Sequence, residues 1–356
     1  MIDFLIIGGG IAGLSAGARL SHHGHVTLLE AEDALGYHTS GRSAALFEEN
    51  YGPPSVVALN RASATYLHSA NGGYLTPRGI LLVGHKDQRA AFEKDAAELN
   101  MQIISRDEAL VRVPILNPDK VAHAALSNSA FDIDTDRLLQ DFARVIRKNG
   151  GKIVTKANVS AIHKGKYWTV DAGQTFEAHT LINAAGAWVD EIASLAGIAP
   201  IGITPKRRSM ARLPAPGGHD VSDWPMLFGV GEAWYAKPDA GKLLVSPSEA
   251  DPVPPQDAYA DDMVLAEGLA RYEEMVTEPV TRVETNWAGL RSFVSDGTLV
   301  LGPDPADPSF VWSAGQGGYG FQTSPAASQL VADLTIGTAS ELDAETIAAL
   351  SPERLR

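Results

Sequence analysis

The chain has 356 residues, a composition ordinary for a globular protein and a formal net charge of −14 at pH 7. This length suits one large domain or two interleaved domains with a sizeable core. The acidic balance disfavours nucleic acid and anionic membrane surfaces as partners, because both would be repelled. There is no cysteine, which excludes disulfides, thiolate metal sites, cysteine nucleophiles and a cofactor attached through cysteine.

The N-terminus is apolar but lacks the basic residues that begin a signal peptide. No apolar run approaches the ~20 residues that a membrane span needs. We therefore expect a soluble, cytoplasmic protein without an integral membrane segment. Peripheral contact with the inner membrane stays open.

The first thirty residues predict a dinucleotide site. Phe4–Ile7 reads as a buried strand, and it leads into Gly8, Gly10 and Gly13 in the spacing G-x-G-x-x-G before an apolar helix. The first glycine permits a tight turn, the second lets the backbone approach a pyrophosphate, and the third lets the helix pack closely on the sheet. Glu30 ends the next strand, 17 residues past Gly13, near the ~20-residue offset at which an acid meets ribose hydroxyls. Both FAD and NAD fit this motif.

Hydrophobic periodicity and turn residues predict the remaining elements. In chain order, we expect helices over residues 87–100 and 137–149, a hairpin over 167–178, a buried strand over 180–183, a helix over 189–196, an antiparallel sheet within 203–246, a helix over 265–276, and a helix over 325–334 after a second glycine loop. Asp134 or Thr135 is the expected N-cap of the second helix. Asp132, Asp134 and Asp136 resemble the start of a calcium loop, but its Gly and distal Glu do not follow, so we predict no metal site.

The two ends of the chain carry the nucleotide-binding pattern, and the middle carries the antiparallel pattern. We therefore predict an α/β fold with a Rossmann domain made of residues 1–75, 145–200 and 295–356. Residues 76–144 and 201–294 would form an inserted α+β substrate domain built on a mixed or antiparallel sheet.

Three segments together resemble a known family: Gly8–Gly13 with Glu30, Thr39–Ala45, and Ala314–Gly320. They are similar to the D-amino-acid oxidase-like FAD-dependent oxidoreductase superfamily, which includes glycine and sarcosine oxidases. Within it, the nearest resemblance is to the D-arginine dehydrogenases, which are broad-range D-amino acid dehydrogenases, and it runs along nearly the whole chain. The resemblance implies FAD, a glutathione-reductase-type FAD-binding Rossmann domain, and a substrate domain on a mixed sheet over the flavin.

The family pattern implies FAD contacts along the whole chain. They fall on Gly8, Gly10, Ile11, Ala12, Gly13, Glu30, Ala31, Ser40, Arg42, Ser43, Ala44, Ala45, Val159, Ala185, Gly186, Trp188, Gly317, Gly318, Tyr319, Gly320, Phe321 and Gln322. In that pattern Glu30 binds the adenosine ribose, and Val159 offers its backbone to adenine. Residues 317–322 offer N–H donors to the pyrimidine edge of the flavin, where the helix dipole stabilises negative charge. Covalent attachment through His38, the histidine close to these motifs, stays open.

The same resemblance implies that Arg291 and Tyr235 hold the substrate carboxylate. It gives Arg208 a further substrate contact and places Tyr51 in a loop over the site. A guanidinium group suits this task because it meets a planar carboxylate bidentately. A structural salt bridge is the alternative for an isolated arginine, and core packing is the alternative for Tyr235.

Two departures from the family bear on specificity. The D-arginine enzymes pair a glutamate with the substrate guanidinium, and Ile80 stands at that position here. An unpaired buried cation costs several kcal/mol, so we expect apolar or small side chains to be preferred over basic ones. Leu46 replaces a loop histidine, so substrate access or amine handling should differ.

The resemblance thus implies FAD-dependent oxidative deamination of D-amino acids to imino acids and then 2-oxo acids. The Cα hydrogen would leave as a hydride to flavin N5, and oxygen or a quinone would then accept the electrons. Three alternatives stay open: an oxidase of glycine, sarcosine or proline on the same fold, a non-catalytic flavin-binding subunit, and an NAD-dependent dehydrogenase.

Overall fold

The computed structural model describes residues 1–356. Buried apolar runs form its strands and helices, and turn-forming residues separate them. The strands are β1 (Ile2–Ile7), β2 (Val26–Leu29), β3 (Leu46–Phe47), β4 (Leu75–Pro77), β5 (Ile80–Gly84), β6 (Gln102–Ile104), β7 (His123–Ser127), β8 (Phe131–Ile133), β9 (Lys152–Val154), β10 (Ala161–Lys164), β11 (Trp168–Asp171), β12 (Thr175–Asn183), β13 (Thr204–Leu213), β14 (Met226–Gly229), β15 (Tyr235–Asp239), β16 (Lys242–Ser246), β17 (Thr285–Phe293), β18 (Val300–Pro303) and β19 (Phe310–Ala314). The α-helices are α1 (Ile11–Leu20), α2 (Pro54–Ser69), α3 (Arg89–Glu98), α4 (Arg106–Arg112), α5 (Thr135–Lys148), α6 (Val189–Leu195), α7 (Asp262–Glu274), α8 (Gly320–Ile336) and α9 (Ala344–Leu350). None of these helices combines the length and the apolar character that crossing a membrane requires.

The first large sheet has the strand order β10-β11-β12-β1-β2-β9, and β19 also pairs with β12 and carries β18. Its central strands are parallel and buried on both faces, as helix-covered parallel sheets are. Side chains such as Ile6 pack on one face with α1, α5 and α8, and side chains such as Leu5 pack on the other with α6. This alternation gives the nucleotide half of the fold two cores.

The turn between β1 and α1 needs its glycines. Gly8 has a φ of +112°, and a side chain there would overlap the carbonyl oxygen of Ala184. A side chain on Gly13 would overlap the carbonyl oxygen of Gly8, because the helix packs directly on the turn. Both positions therefore admit glycine alone, which agrees with the roles expected from the motif.

The second large sheet has the strand order β17-β13-β16-β15-β14-β5-β7-β6. It is mixed, since β14 and β5 are parallel and the other pairs are antiparallel. On one face Ala211 and Ala236 pack under α7, whereas Met210 and Tyr235 belong to a separate cluster on the other face. A small third sheet, with the order β3-β8-β4, joins the segment after residue 45 to the strand before α5.

The two large sheets fall on different parts of the chain. Strands of the first lie within residues 2–29, 152–183 and 300–314, and strands of the second lie within 80–127 and 204–293. Helix α5 crosses the expected boundary between residues 144 and 145, yet Leu139 and Ile146 both pack in the core of the first sheet. We therefore propose that the nucleotide-binding part of the chain resumes at Asp134, where α5 is capped.

Most expected elements are present. Helices α3, α5, α6 and α7 lie within a few residues of their predicted bounds, and Asp134 caps α5 by accepting from the Arg137 N–H at 3.1 Å. The expectation for α8 was wrong at its start, because the helix begins at Gly320 rather than at Pro325. The proline is tolerated inside the helix because Ser324 Oγ donates to the Phe321 carbonyl, at 2.9 Å, in place of the missing N–H.

Candidate active site

An elongated cleft runs between the two large sheets and consists of connected cavities. We call the first the glutamate cavity; it lies beside Glu30 and Trp188 and measures about 1300 Å³, part of which is open to solvent. The central cavity encloses about 960 Å³ beneath Arg291, and the two share Gly10, Ser40 and Gly186. The arginine cavity, of about 640 Å³, joins the central cavity at Arg208, Tyr235 and Arg291.

The glutamate cavity gathers the first group of expected FAD contacts. Its lining includes Gly8, Gly10, Glu30, Ala31, Ser40, Val159, Ala185, Gly186 and Trp188. The Glu30 carboxylate accepts from the N–H groups of Gly9 at 2.6 Å and Glu32 at 2.9 Å, so it is fixed at the end of β2. Asn183 Nδ2 donates to the Val189 carbonyl at 2.8 Å and holds the turn after β12 in place.

His38 also lies in the glutamate cavity. Its Nε2 is 2.9 Å from Glu32 Oε1, and its ring packs on Trp188 with 4.7 Å between ring centroids. No histidine lines the central cavity or the arginine cavity. The position of His38 therefore gives no support to covalent attachment of a flavin ring in the central cavity.

Two helix N-termini face the central cavity. Neither α1 nor α8 has a side-chain cap at its start, although Ile11 N–H donates to Ser40 Oγ at 3.0 Å. A side chain added at Gly10 would contact only Ser40 Oγ, at 3.1 Å, so the space above this turn is open to a ligand. The unpaired N–H groups and the helix dipoles favour negative charge here.

A second group of expected FAD contacts lines the central cavity. These residues are Gly10, Ile11, Ala12, Ser40, Arg42, Ser43, Ala44, Ala45, Gly186, Gly317, Gly318, Gly320, Phe321 and Gln322. Their arrangement follows from three turns, after β1, after β12 and after β19, that meet at the ends of parallel strands, where α/β sheets bind ligands.

Four of the expected contacts have side chains directed elsewhere or lie outside the cleft. The Arg42 guanidinium donates to the carbonyls of Ala258 at 2.8 Å and Ala288 at 3.0 Å. Gly13 lies beneath Gly8 and lines none of the three cavities of the cleft. Tyr319 lines an outer cavity with Tyr51, and their ring centroids are 5.4 Å apart. The Gln322 side chain accepts from the Glu48 N–H at 3.2 Å and so supports the loop of residues 48–51.

The arginine cavity brings together the four residues expected to contact substrate, Arg291, Tyr235, Arg208 and Tyr51. The guanidinium group of Arg291 makes no salt bridge and no hydrogen bond to the protein. That of Arg208 donates to the Glu249 carbonyl at 2.8 Å and to Ser248 Oγ at 3.1 Å, and it has no carboxylate partner. Burial and the neighbouring charge of Arg291 lower the pKa of Arg208. Neither arginine contacts a carboxylate, although the charge of Glu232 acts on both. Two adjacent, partly buried cations form a site for an anion.

The two tyrosines complete this anion site. Tyr235 is 3% exposed and stacks on Phe228 with 5.9 Å between ring centroids. Burial raises the pKa of Tyr51, so its phenol stays a neutral hydrogen-bond donor. The loop that carries Tyr51 is fixed, because Asn60 Nδ2 donates to the carbonyls of Glu49 at 3.2 Å and Tyr51 at 3.1 Å.

The sequence did not identify Glu48 and Glu232, which also line the arginine cavity. Ile80 lines it as expected, but the cavity does not lack acids, which removes the reason for expecting basic side chains to be disfavoured. The alternation of side chains along a strand would have indicated Glu48. Phe47 faces the core, so its neighbours Leu46 and Glu48 face the opposite side. Glu232 has a φ of +52° in a tight turn, and nothing local in the sequence marks it.

The shape and chemistry of the cleft fit FAD. Glu30, at the end of β2, lies at one end of the cleft. The N-termini of α1 and α8, which have no side-chain N-cap, face the middle of the cleft, where the central cavity opens. A ribose, a diphosphate and a flavin ring need these features in this order.

Comparisons with known proteins agree with this fit. Residues 3–334 match the family model described as FAD dependent oxidoreductase. FAD-dependent oxidoreductase domain-containing protein 1 of Bos taurus is 25% identical, over an alignment that covers 94% of this chain and 81% of that protein. Glycine oxidase from Geobacillus kaustophilus has a similar structure, with a TM-score of 0.83, 21% identity, and coverage of 98% of this chain and 97% of that chain. The FAD-bound L-alpha-glycerophosphate oxidase from Mycoplasma pneumoniae has a TM-score of 0.82, 19% identity and 96% coverage of each chain.

These structural similarities confirm the predicted α/β fold with its mixed sheet. The family match covers all the strands of both large sheets and the whole cleft. The chain therefore belongs to the FAD dependent oxidoreductase family, and its cofactor is FAD.

Proposed function

We propose that the protein oxidises the Cα–N bond of an amino acid. The observation that carries this proposal is the guanidinium group of Arg291, which faces the arginine cavity beside Arg208 without any protein partner. An α-amino acid offers a planar carboxylate, and a guanidinium fork binds that group bidentately. The FAD bound in the neighbouring central cavity supplies the acceptor for the two electrons of the oxidation.

The residues that would hold FAD are those of the two cavities on its path. Glu30 would accept from the ribose hydroxyls, and the N-terminus of α1 would face the diphosphate. The N-terminus of α8 would stabilise negative charge on the flavin ring. Because no histidine or cysteine lines the central cavity, we propose non-covalent binding.

The substrate residues act by binding and orientation. Arg291 would hold the carboxylate with Tyr235, whose hydroxyl is a second donor beside it. Arg208 would add a second positive charge, and Tyr51 would close the cavity from the loop pinned by Asn60. Fixing the carboxylate sets the position of Cα, and orientation of this kind supplies a large part of catalysis. The imino acid product would hydrolyse to a 2-oxo acid and ammonia.

We further propose the D configuration, on the resemblance to the D-arginine dehydrogenases carried by segments such as Thr285–Phe293 and Gln316–Gly320. Oxygen or a quinone would reoxidise the flavin.

A second candidate is oxidation of glycine or a related small amine, which the structural similarity to a glycine oxidase favours. The lining of the arginine cavity favours the first candidate, because Ile80, Met226 and Phe228 would contact a substrate side chain, which glycine lacks.

The test is an anaerobic absorbance spectrum of the purified flavoprotein before and after addition of D- and L-amino acids, glycine, sarcosine and proline. We expect the flavin band to bleach with D-amino acids that carry a side chain. Bleaching only with glycine, sarcosine or proline would favour the second candidate, and a band unchanged by every amine would contradict both. The rate at which colour returns in air then separates an oxidase from a dehydrogenase.

A further inference from the structure

Glu48 is a buried carboxylate that the proposed reaction does not use. It is 2% exposed and lines the arginine cavity. Its Oε1 accepts from the N–H and Nδ2 of Asn50, both at 3.2 Å, and its Oε2 is 3.4 Å from Ser129 Oγ and 3.5 Å from Ser127 Oγ. The contacts at Oε2 are long, so this oxygen retains capacity to accept from a ligand.

Glu48 has no basic partner. It forms no salt bridge, and the groups that contact it, Asn50, Ser127 and Ser129, are all neutral. Burial raises the pKa of Glu48, which means that its ionised form is poorly compensated by the protein. A buried acid of this kind is stabilised when a cation enters beside it.

Glu48 and the two arginines lie at opposite ends of the arginine cavity. Glu48 contacts Ser127 on β7, whereas Arg208 and Arg291 lie on β13 and β17, near the other edge of the same sheet. The strands between them contribute Tyr235, Met226, Phe228 and Ile80 to the cavity. A ligand in this cavity thus meets the two arginines, with the charge of Glu232 acting on them, at one end, a largely apolar wall in the middle and Glu48 at the other end.

We propose that Glu48 binds a cationic group at the far end of the substrate side chain, so that the preferred substrates are amino acids with a terminal amine or guanidinium group. This inference rests on the proposed function, because it takes the carboxylate to lie on Arg291. It replaces the expectation of apolar substrates that Ile80 suggested. The carboxylate that would bind the cationic group belongs to Glu48, in the loop after β3, and not to the position on β5 that Ile80 occupies.

The test uses two carboxylic acids that lack an α-amine, so that neither is oxidised. 6-Aminohexanoate and hexanoate differ only in the terminal amine, and their binding to the holoenzyme is measured by perturbation of the flavin spectrum. We expect 6-aminohexanoate to bind about tenfold or more tightly than hexanoate, as a buried charge pair allows. Glu48→Gln should abolish this preference, Glu48→Asp should reduce it, and Glu49→Gln, outside the cavity lining, should keep it.

The outcomes separate the inference from the proposed function. Equal or tighter binding of hexanoate by the wild-type protein would overturn the role of Glu48, while bleaching by D-amino acids would still support the proposed reaction. A preference that persists in Glu48→Gln would also overturn it. If neither acid binds to the flavin-loaded protein, the carboxylate site on Arg291 fails, and the inference fails with it. The flavin absorbance of each variant reports whether it has folded.

Discussion

The ammonium group of Lys237 lies 2.9 Å from the carbonyl oxygen of Ala44 and 3.1 Å from that of Ala45. Lys237 follows Tyr235 on the same face of β15, so one strand of the second large sheet contributes to the arginine cavity and also holds the segment that lines the central cavity. Its Nζ is also 2.9 Å from Asp132, which pairs with Arg78. This buried cation therefore connects the second large sheet with the small third sheet and with the segment that lines the central cavity.

We expect Lys237→Met to destabilise the protein and weaken FAD binding. The substitution leaves two carbonyl groups without this donor, at a cost of about 1–3 kcal/mol each, and removes the cation beside the Asp132 carboxylate. The melting temperature should fall by several degrees, and FAD should dissociate more readily. Thermal unfolding and FAD titration of the apoprotein measure both effects.

The matched control is Lys242→Met, on the next strand. Lys242 pairs with Glu284 at 2.9 Å near the surface, and exposed pairs contribute about 0–1 kcal/mol. It should leave FAD affinity unchanged. Equal effects of the two substitutions would show that Lys237 acts as an ordinary surface charge and not as a connection between the sheets.

Gly10→Ala should block the cofactor and leave the fold intact. A methyl group at this position contacts only Ser40 Oγ within the protein, at 3.1 Å, but it occupies the space above the uncapped start of α1. We expect the apoprotein to unfold near the wild-type temperature, while FAD affinity falls about tenfold or more. Gly165→Ala is the control, since a methyl group there contacts nothing within 4 Å and the residue lines neither cavity. Retention of full FAD affinity by Gly10→Ala would place the diphosphate elsewhere.

The sequence predicted those parts of the site that depend on local geometry. The turn of Gly8 and Gly13, the acid at the end of β2 and the cap at Asp134 each follow from residues close together in the chain. The start of α8 was misplaced because glycines that normally end helices here begin one. Cavity residues such as Glu48 and Glu232 depend on which strands become neighbours across the sheet, and that pairing is not encoded in any short segment.

Glu48→Gln should stabilise the folded protein at neutral and alkaline pH. Burial raises the pKa of Glu48 above its ordinary value, so the folded state binds this proton more tightly than the unfolded state does. The contribution of Glu48 to the free energy of unfolding is therefore largest in acid and is lost as the pH rises through the raised pKa. Glutamine removes the ionisation and keeps an oxygen to accept from Asn50.

The difference in melting temperature between Glu48→Gln and wild type should thus be positive near about pH 8 and should vanish near about pH 4. Glu49→Gln, whose side chain lies outside the cavity, should show no such dependence. A Glu48→Gln variant that is less stable than wild type at both pH values would mean that the carboxylate serves the loop through its bonds to Asn50 and contributes nothing as an unpaired acid.

Arg291→Met tests the proposed carboxylate site most directly. Methionine retains much of the apolar stem but removes the charge and the forked donors, so substrate and 6-aminohexanoate should bind about tenfold or more weakly. FAD should stay bound, because Arg291 makes no hydrogen bond to the turns that line the cofactor path.

Arg291→Lys keeps the charge and loses the bidentate geometry, and we expect an intermediate effect. Arg212→Met, on β13 but outside the cavities, is the control. Substrate kinetics unchanged in Arg291→Met would remove Arg291 from the site and leave Arg208 as the group that holds the carboxylate.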